Sequence, residues 1–367
     1  MSHEYYMQLA LEEAVKGRSF TSPNPMVGAI LVKDDRIIGK GYHHAYGQAH
    51  AEVEAIASAT ESVEGATMYV TLEPCSHYGK TPPCSLALIQ AKLKQVVVST
   101  TDPNPLVAGK GIQMLQSAGI DVITGVLEEE GKELNRIFFH FIQKRRPYVL
   151  LKSAMSLDGK IATRTGSSQW ISSVESRAHA HTLRANYRSI LVGVNTVIAD
   201  NPSLTTRLST QVRQPIRCIL DSTGRIPLDC IVLNDAYVKN TWVMTTERMS
   251  ENIEAQIKDK GATVIRCLSD QGQVDLNDCI SKLSSAGIDS LLIEGGSDVA
   301  FGALKANIVD EVIFYLAPKI LGGKEAFTSI GGQGVATVNE AIELKKMKTE
   351  WIGNDLVISA LVKKGDN

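Results

Sequence analysis

His50-Ala-Glu52, then Pro74-Cys75, then Cys84 are the residues here whose types and order could do chemistry. One imidazole and two thiolates supply three ligands of a tetrahedral zinc and leave the fourth position for water, which a catalytic zinc requires. Glu52, two residues beyond His50, would stand beside the metal without binding it and could carry a proton to a departing amine. H-x-E, then P-C, then a second Cys before a helix is the zinc deaminase order, with one departure: eight residues separate the cysteines, where two are usual. A lone His or Cys would read as a core or loop residue; three in this order favour the metal. A helix beginning at Cys84 would place partial positive charge beside that thiol and favour its ionisation.

The elements that must position these residues alternate. Apolar residues at helical spacing run from Tyr6 to Ala14, and residues 27–32 and 36–42 read as a hairpin turning at Asp34-Asp35. A helix over 51–59, a strand over 67–72, a helix over 84–91, a strand over 96–100, a helix over 111–118 and a strand over 121–124 follow, which predicts a layered α/β sheet. Residues 127–146 are charged and helix-prone, and Pro147 stops that stretch. A second α/β pattern then begins: strands over 148–154, 189–193, 216–221, 241–245, 263–266, 290–294 and 311–316, a helix over 174–186 and a terminal hairpin around Gly353-Asn354. Ser172-x-x-Glu175 has capping-box spacing for the helix over 174–186. The division predicted is 1–145 and 146–367.

The second half holds its own polar clusters: Lys152 to Lys160, Gly193 to Arg207, and Leu291-Leu-Ile-Glu294-Gly-Gly-Ser297 leading into a helix. Strand, glycine pair, helix start is one way to seat a phosphate, although such a turn is commonly only a turn. No G-x-G-x-x-G follows a strand, so a Rossmann dinucleotide domain is not supported.

At 367 residues two domains are expected, and 44% hydrophobic with 21% charged residues describes a soluble globular protein. A net charge of -2 offers no general attraction for nucleic acid or an anionic membrane. With no signal segment and six sparse cysteines, a cytoplasmic protein without disulfides is expected. His140, His179, His181, Cys218, Cys230, Cys267 and Cys279 read as structural.

The stretch Thr71-Leu-Glu-Pro-Cys-Ser-His-Tyr-Gly-Lys-Thr-Pro-Pro-Cys84, with His50-Ala-Glu52 and Pro23-Asn-Pro-Met-Val-Gly28, closely resembles the deaminase domain of the bifunctional riboflavin biosynthesis deaminase/reductase family. The three later segments resemble that family's reductase domain, so the resemblance spans nearly the whole chain in one domain order. It implies a cytidine-deaminase-like three-layer α/β/α domain followed by a dihydrofolate-reductase-like α/β domain. The activities it implies are zinc-dependent hydrolytic deamination of 2,5-diamino-6-ribosylamino-4(3H)-pyrimidinone 5′-phosphate, then NADPH-dependent reduction of the product's ribosyl group to ribityl.

Carried over by motif, His50, Cys75 and Cys84 would hold Zn²⁺ and Glu52 would be catalytic. Asn24 would read the base edge, and His77 and Lys80 would be partners for the phosphate. Ala154, Trp170, Thr196, Asp200, Ser222, Gly296, Ser297, Asp298, Val299, Ala300, Phe301 and Gly302 would line the NADPH site. Ser168, Arg184, Leu204, Arg207 and Glu294 would contact substrate, and Lys152, Asp200 and Glu294 are the candidates for the reductase proton donor. A small phosphorylated pyrimidine nucleotide is the expected partner, with neither nucleic acid nor membrane, in a homodimer or homotetramer. The alternatives are a nucleic-acid-editing deaminase, which the net charge and long Cys-to-Cys loop disfavour, and a monofunctional deaminase whose second half binds a ligand or dimerises.

Overall fold

Ser2 opens the first helix, its hydroxyl accepting the Tyr5 N–H at 3.3 Å. In a computed structural model, which describes residues 1–78, 82–104, 107–210 and 212–364, the chain divides into two compact units, Met1–Arg145 and Arg146–Asn367.

The first unit runs α1 (His3–Val15), β1 (Gly28–Lys33), β2 (Arg36–Tyr42), α2 (Ala51–Ala57), β3 (Thr67–Leu72), α3 (Cys84–Gln90), β4 (Gln95–Thr100), α4 (Lys110–Ser117), β5 (Asp121–Thr124), α5 (Glu128–Leu134) and α6 (Arg136–Lys144). Its sheet has the order β2-β1-β3-β4-β5, antiparallel among the first three strands and parallel thereafter. Alternation along β1 sets the layers: Ala29 and Leu31 pack with Ala55, Leu88 and Leu115 of α2, α3 and α4, while Ile30 and Val32 pack with Tyr6, Met7 and Ala10 of α1. This is the expected three-layer α/β/α sandwich. The stretch over 127–146 is two helices, parted at Asn135, whose side chain accepts the Met26 N–H (2.8 Å) and donates to the Met26 carbonyl (2.9 Å).

The second unit runs β6 (Tyr148–Ser156), α7 (Val174–Asn186), β7 (Ser189–Gly193), α8 (Val194–Asp200), β8 (Ile216–Leu220), α9 (Ile231–Asn234), β9 (Thr241–Thr245), α10 (Glu251–Asp259), β10 (Thr263–Arg266), β11 (Ser269–Asp270), β12 (Gln273–Val274), α11 (Leu276–Ser285), β13 (Ser290–Ile293), α12 (Ser297–Lys305), β14 (Glu311–Ala317), β15 (Leu344–Ile352) and β16 (Asp355–Val362). Nine strands form one sheet, β10-β9-β8-β7-β13-β6-β14-β16-β15, parallel from β10 to β14 and closed by the antiparallel terminal hairpin. Fully buried parallel strands need apolar side chains on both faces, as Ile190, Leu191 and Val192 of β7 supply. The cap of α7 differs from the capping-box expectation: Ser173, not Ser172, accepts the Ser176 N–H, at 3.1 Å. Among the described residues, no helix is long and apolar enough to cross a membrane.

Candidate active sites

In the first unit the ends of β3, α2 and α3 bring the three metal-type residues together. His50 is the N-cap of α2, Cys84 is the first residue of α3, and Cys75 lies between β3 and α3. His50 Nδ1 is 3.1 Å from Cys84 Sγ and 3.7 Å from Cys75 Sγ, and all three candidate ligand atoms lie within 4.8 Å of one another. Zn–N of about 2.0 Å and Zn–S of about 2.3 Å require a tetrahedral N···S edge of about 3.6 Å. The donor set therefore fits a zinc ion in both chemistry and spacing.

Ionisation follows a different route from the one the helix start suggested. The Cys84 N–H, the first of α3, donates to Cys75 Sγ at 3.2 Å. The Cys84 thiol, then His50 and that amide hold Cys75 well below the usual thiol range, whereas Cys84 is pushed up by sharing a proton with it. The first amide of α3 thus faces Cys75 Sγ, not the Cys84 thiol. Glu52 on α2 is 3% exposed, and burial pushes its carboxyl up to about 7 against the pull of His50.

His50, Glu52 and Cys75 border a cavity of about 450 Å³ that Asn24, His43, His77, Asp102 and Phe138 also line. Asn24 Nδ2 and His43 Nε2 are 3.2 Å apart, and His43 Nδ1 faces the Ala49 carbonyl at 3.0 Å, so the imidazole steers the amide. Lys80 lies outside the described residues. Glu73, which sequence reasoning missed, underpins the far wall. Its buried carboxylate accepts the N–H groups of Asp102 (3.1 Å), Gly109 (3.0 Å) and Gly111 (2.9 Å). Gly111 is required there, because a Cβ would fall 2.0 Å from the Pro74 carbonyl oxygen.

In the second unit Glu294, directly after β13, anchors a cluster. Arg184 of α7 grips its carboxylate with two hydrogen bonds, 2.9 and 2.8 Å, and Lys152 Nζ of β6 lies 3.9 Å away. Burial pushes Glu294 up, but Arg184 and Lys152 outweigh it and keep it below the usual carboxyl range. Burial lowers Lys152, with Glu294 opposing. Lys152 Nζ lies 5.5 Å from the Tyr315 ring centroid, and the Tyr315 hydroxyl is 2.8 Å from His179 Nδ1. Arg184 also donates to the Thr205 carbonyl (3.1 Å), and Arg207 Nε lies 3.4 Å from His181 Nε2. His179 and His181, read as structural from sequence, therefore border this cluster. For His181 its i,i+3 spacing with Arg184 was the available signal.

Leu204 is 3% exposed with φ of 53° and packs into the core with Ile190, Val192 and Ile219. Ala154, two residues beyond Lys152 on β6, pairs with Tyr315 in the sheet. Trp170 is 59% exposed, with the Arg177 guanidinium 4.5 Å from its ring centroid. Ser168 is in the loop before it, and Asp200 ends α8 with its carboxyl raised by burial.

A larger cavity of about 920 Å³ lies beyond the C-terminal ends of β7 and β8, at the start of α12. Thr196, Ser222, Gly296, Asp298, Val299 and Gly302 line it. Ser297, Ala300 and Phe301 are not among its lining residues, nor are Ala154, Trp170 and Asp200. Ala300 points into the core, as every third or fourth residue of an amphipathic helix must. Gly296, at φ 78°, ends the turn before α12; no side chain caps that helix, and its first turn lines the cavity, a helix start that suits a dinucleotide diphosphate.

Comparison with known proteins agrees with both halves. Residues 147–358 match the family model "RibD C-terminal domain", and residues 1–100 match "Cytidine and deoxycytidylate deaminase zinc-binding region". The Riboflavin biosynthesis protein RibD of Actinobacillus pleuropneumoniae is 46% identical over 97% of this chain and 94% of its own, and that of Escherichia coli is 40% identical over 98% and 99%. The solved structure of Acinetobacter baumannii RibD superposes with a TM-score of 0.89 at 38% identity, covering 99% of both chains. A Thermotoga maritima diaminohydroxyphosphoribosylaminopyrimidine deaminase/5-amino-6-(5-phosphoribosylamino)uracil reductase does so at 0.85 and 37%, covering 98% and 99%. Metal-type cluster and deaminase match fall in one unit, carboxylate cluster and reductase match in the other, and the chain belongs to the RibD family of bifunctional riboflavin biosynthesis deaminase/reductases.

Proposed function

We propose that this chain carries out two consecutive steps: hydrolytic deamination of the phosphorylated diaminopyrimidinone nucleotide in the first unit, then NADPH-dependent reduction of its ribosyl group in the second. The observation that carries the reading is the presence, in one family member, of a His-Cys-Cys triad beside a buried glutamate and an Arg-Glu-Lys cluster beside a dinucleotide-sized cavity.

In the first unit His50, Cys75 and Cys84 would hold Zn²⁺, which when bound supplies Lewis acidity and lowers the pKa of water to about 7. Glu52, whose carboxyl is raised to about 7, accepts a proton at its side-chain oxygen and returns it to the leaving amine. Water enters, ammonia leaves, and the ring carbon gains a carbonyl. Asn24, steered by His43, reads the pyrimidine edge, with His77 and Lys80 as the phosphate partners.

In the second unit NADPH, when bound, supplies the hydride that the former anomeric carbon of the ring-opened imine receives. Glu294, kept ionised by Arg184, is a poor acid and orients sugar hydroxyls. Lys152, with its lowered pKa, donates the balancing proton to the imine nitrogen. Arg207 offers a planar fork to the sugar phosphate, and Arg184, its fork held by Glu294, adds positive charge beside it. Ser168 and Leu204 border the substrate; Ala154, Trp170 and Asp200, with Thr196, Ser222 and Gly296, contact the cofactor.

The exposed edge strand β15, with Met347 67% and Trp351 71% exposed, supports assembly into a homodimer or homotetramer, and the free thiols suit a cytoplasmic setting. The test follows ammonia and NADPH together on the diaminopyrimidinone nucleotide. Equimolar ammonia release and NADPH oxidation, both stopped by a zinc chelator, are expected. Ammonia without oxidation would leave a deaminase and remove the second activity.

A further inference from the structure

A dinucleotide-binding sheet that uses NAD places a carboxylate just after a strand to accept the ribose 2′-hydroxyl. Asp221, immediately after β8, occupies such a position. Its carboxylate is turned inward: it is 0% exposed and accepts the N–H groups of Gly224 (3.0 Å), Arg225 (2.9 Å) and Ile226 (2.8 Å). A carboxylate used this way closes the turn over 222–226 and has nothing to offer a hydroxyl.

What the turn presents instead is cationic. Ser222, Thr223 and Arg225 line the 920 Å³ cavity, and Arg248, after β9, lines it too. The two loops are laced together: the Thr246 hydroxyl donates to the Ser222 carbonyl at 2.7 Å and accepts the Arg248 N–H at 3.2 Å. Arg225 donates to Asn195 Oδ1 (2.8 Å) and Arg248 to the Gly272 carbonyl (2.8 Å), each contact involving one nitrogen of a five-hydrogen fork. The Ser222 hydroxyl accepts the Val274 N–H and donates to Gln273 Oε1, both at 3.1 Å, which fixes it in the cavity wall. Strand order β9-β8-β7-β13 puts Ser222 two strand steps from the helix start at Gly296, about 10 Å. That is the reach from a dinucleotide's diphosphate to a phosphate on its adenosine ribose.

We infer that Arg225 and Arg248, which line this cavity with Ser222, bind the 2′-phosphate of NADPH and set its preference over NADH. The inference deepens the reductase reading of this unit and rests on it. A 2′-phosphate brings up to two negative charges that two arginines can fork, whereas the 2′-hydroxyl of NADH meets no available carboxylate from Asp221.

The test is calorimetric titration of the full-length protein with adenosine 2′,5′-bisphosphate and with adenosine 5′-monophosphate, which differ only in the 2′-phosphate. The unaltered protein should prefer the bisphosphate. Because a charge-assisted hydrogen bond contributes roughly 1.5–3 kcal/mol, Arg225→Gln or Arg248→Gln should cut that preference about tenfold to 100-fold, with monophosphate affinity little changed. Arg225→Lys should keep part of it, and unchanged thermal midpoints would exclude misfolding. Equal binding of the two nucleotides by the unaltered protein, or variants that lose both affinities equally, would overturn the assignment. Binding of neither would instead remove the dinucleotide reading of the cavity on which it stands.

Discussion

Glu73→Gln is the perturbation that most sharply tests how the deaminase pocket is built. Glu73 Oε2 accepts the N–H groups of Asp102 and Gly109, and Oε1 accepts those of Gly111 and Ile112. An amide keeps one oxygen and turns an NH₂ toward the other pair, so whichever way it flips, two N–H groups lose their acceptor. At about 1–3 kcal/mol for each donor left unsatisfied, the substitution costs about 2–6 kcal/mol. For a unit of this size that lowers its unfolding midpoint by about 6 to 18 °C. Because the same hydrogen bonds hold Asp102, whose carboxylate in turn accepts the Asn104 N–H, against the pocket, KM for deamination should rise even where the unit stays folded. The assay pairs calorimetric scanning with deaminase kinetics, and NADPH oxidation on already deaminated substrate serves as the control. A Glu73→Gln protein with unchanged midpoint and unchanged deaminase KM would refute the buttress.

Three further outcomes are expected. Glu294→Gln leaves Arg184 and Lys152 without their shared counter-charge; breaking a buried pair costs about 3–5 kcal/mol, and scanning calorimetry should show that loss together with loss of reductase activity. The reductase needs Lys152 protonated, and burial lowers its pKa, so the rate should fall on the alkaline side at a pH below the ordinary lysine value of about 10.4; a pH–rate profile checks this, and Lys152→Arg should move that limb upward. Burial, then Arg184 and Arg207, pull His181 down to about 4, so between about 4 and 6.5 the unfolded chain binds the extra proton and stability rises with pH. His181→Asn should flatten that slope in denaturant titrations across this window.

Much of the chemistry was legible because it depends on short-range spacing. His50, Glu52, Cys75 and Cys84 each sit at or near an element start that local pattern marks, and the turn at Asp34-Asp35 closes β1 onto β2 as read. What escaped depends on partners far along the chain. Asn135 breaks the helical stretch because Met26, 109 residues away, takes both hydrogen-bonding ends of its amide. Glu73 reads as one letter of a motif until α4 turns its N-terminus onto it. That the first amide of α3 meets Cys75 Sγ and not the Cys84 thiol depends on how the end of β3 and the start of α3 come together, nine residues apart. His181 is an ordinary helix residue until the loop over 201–207 folds back and lays Arg207 against it.

The most direct test of two activities working in order is Glu52→Ala, assayed with both substrates. With the diaminopyrimidinone nucleotide, the variant should release no ammonia and oxidise no NADPH. Given the deaminated nucleotide, it should oxidise NADPH at the rate of the unaltered protein. Oxidation of NADPH by Glu52→Ala on the diamino substrate, without ammonia release, would contradict the order and the role of Glu52 together.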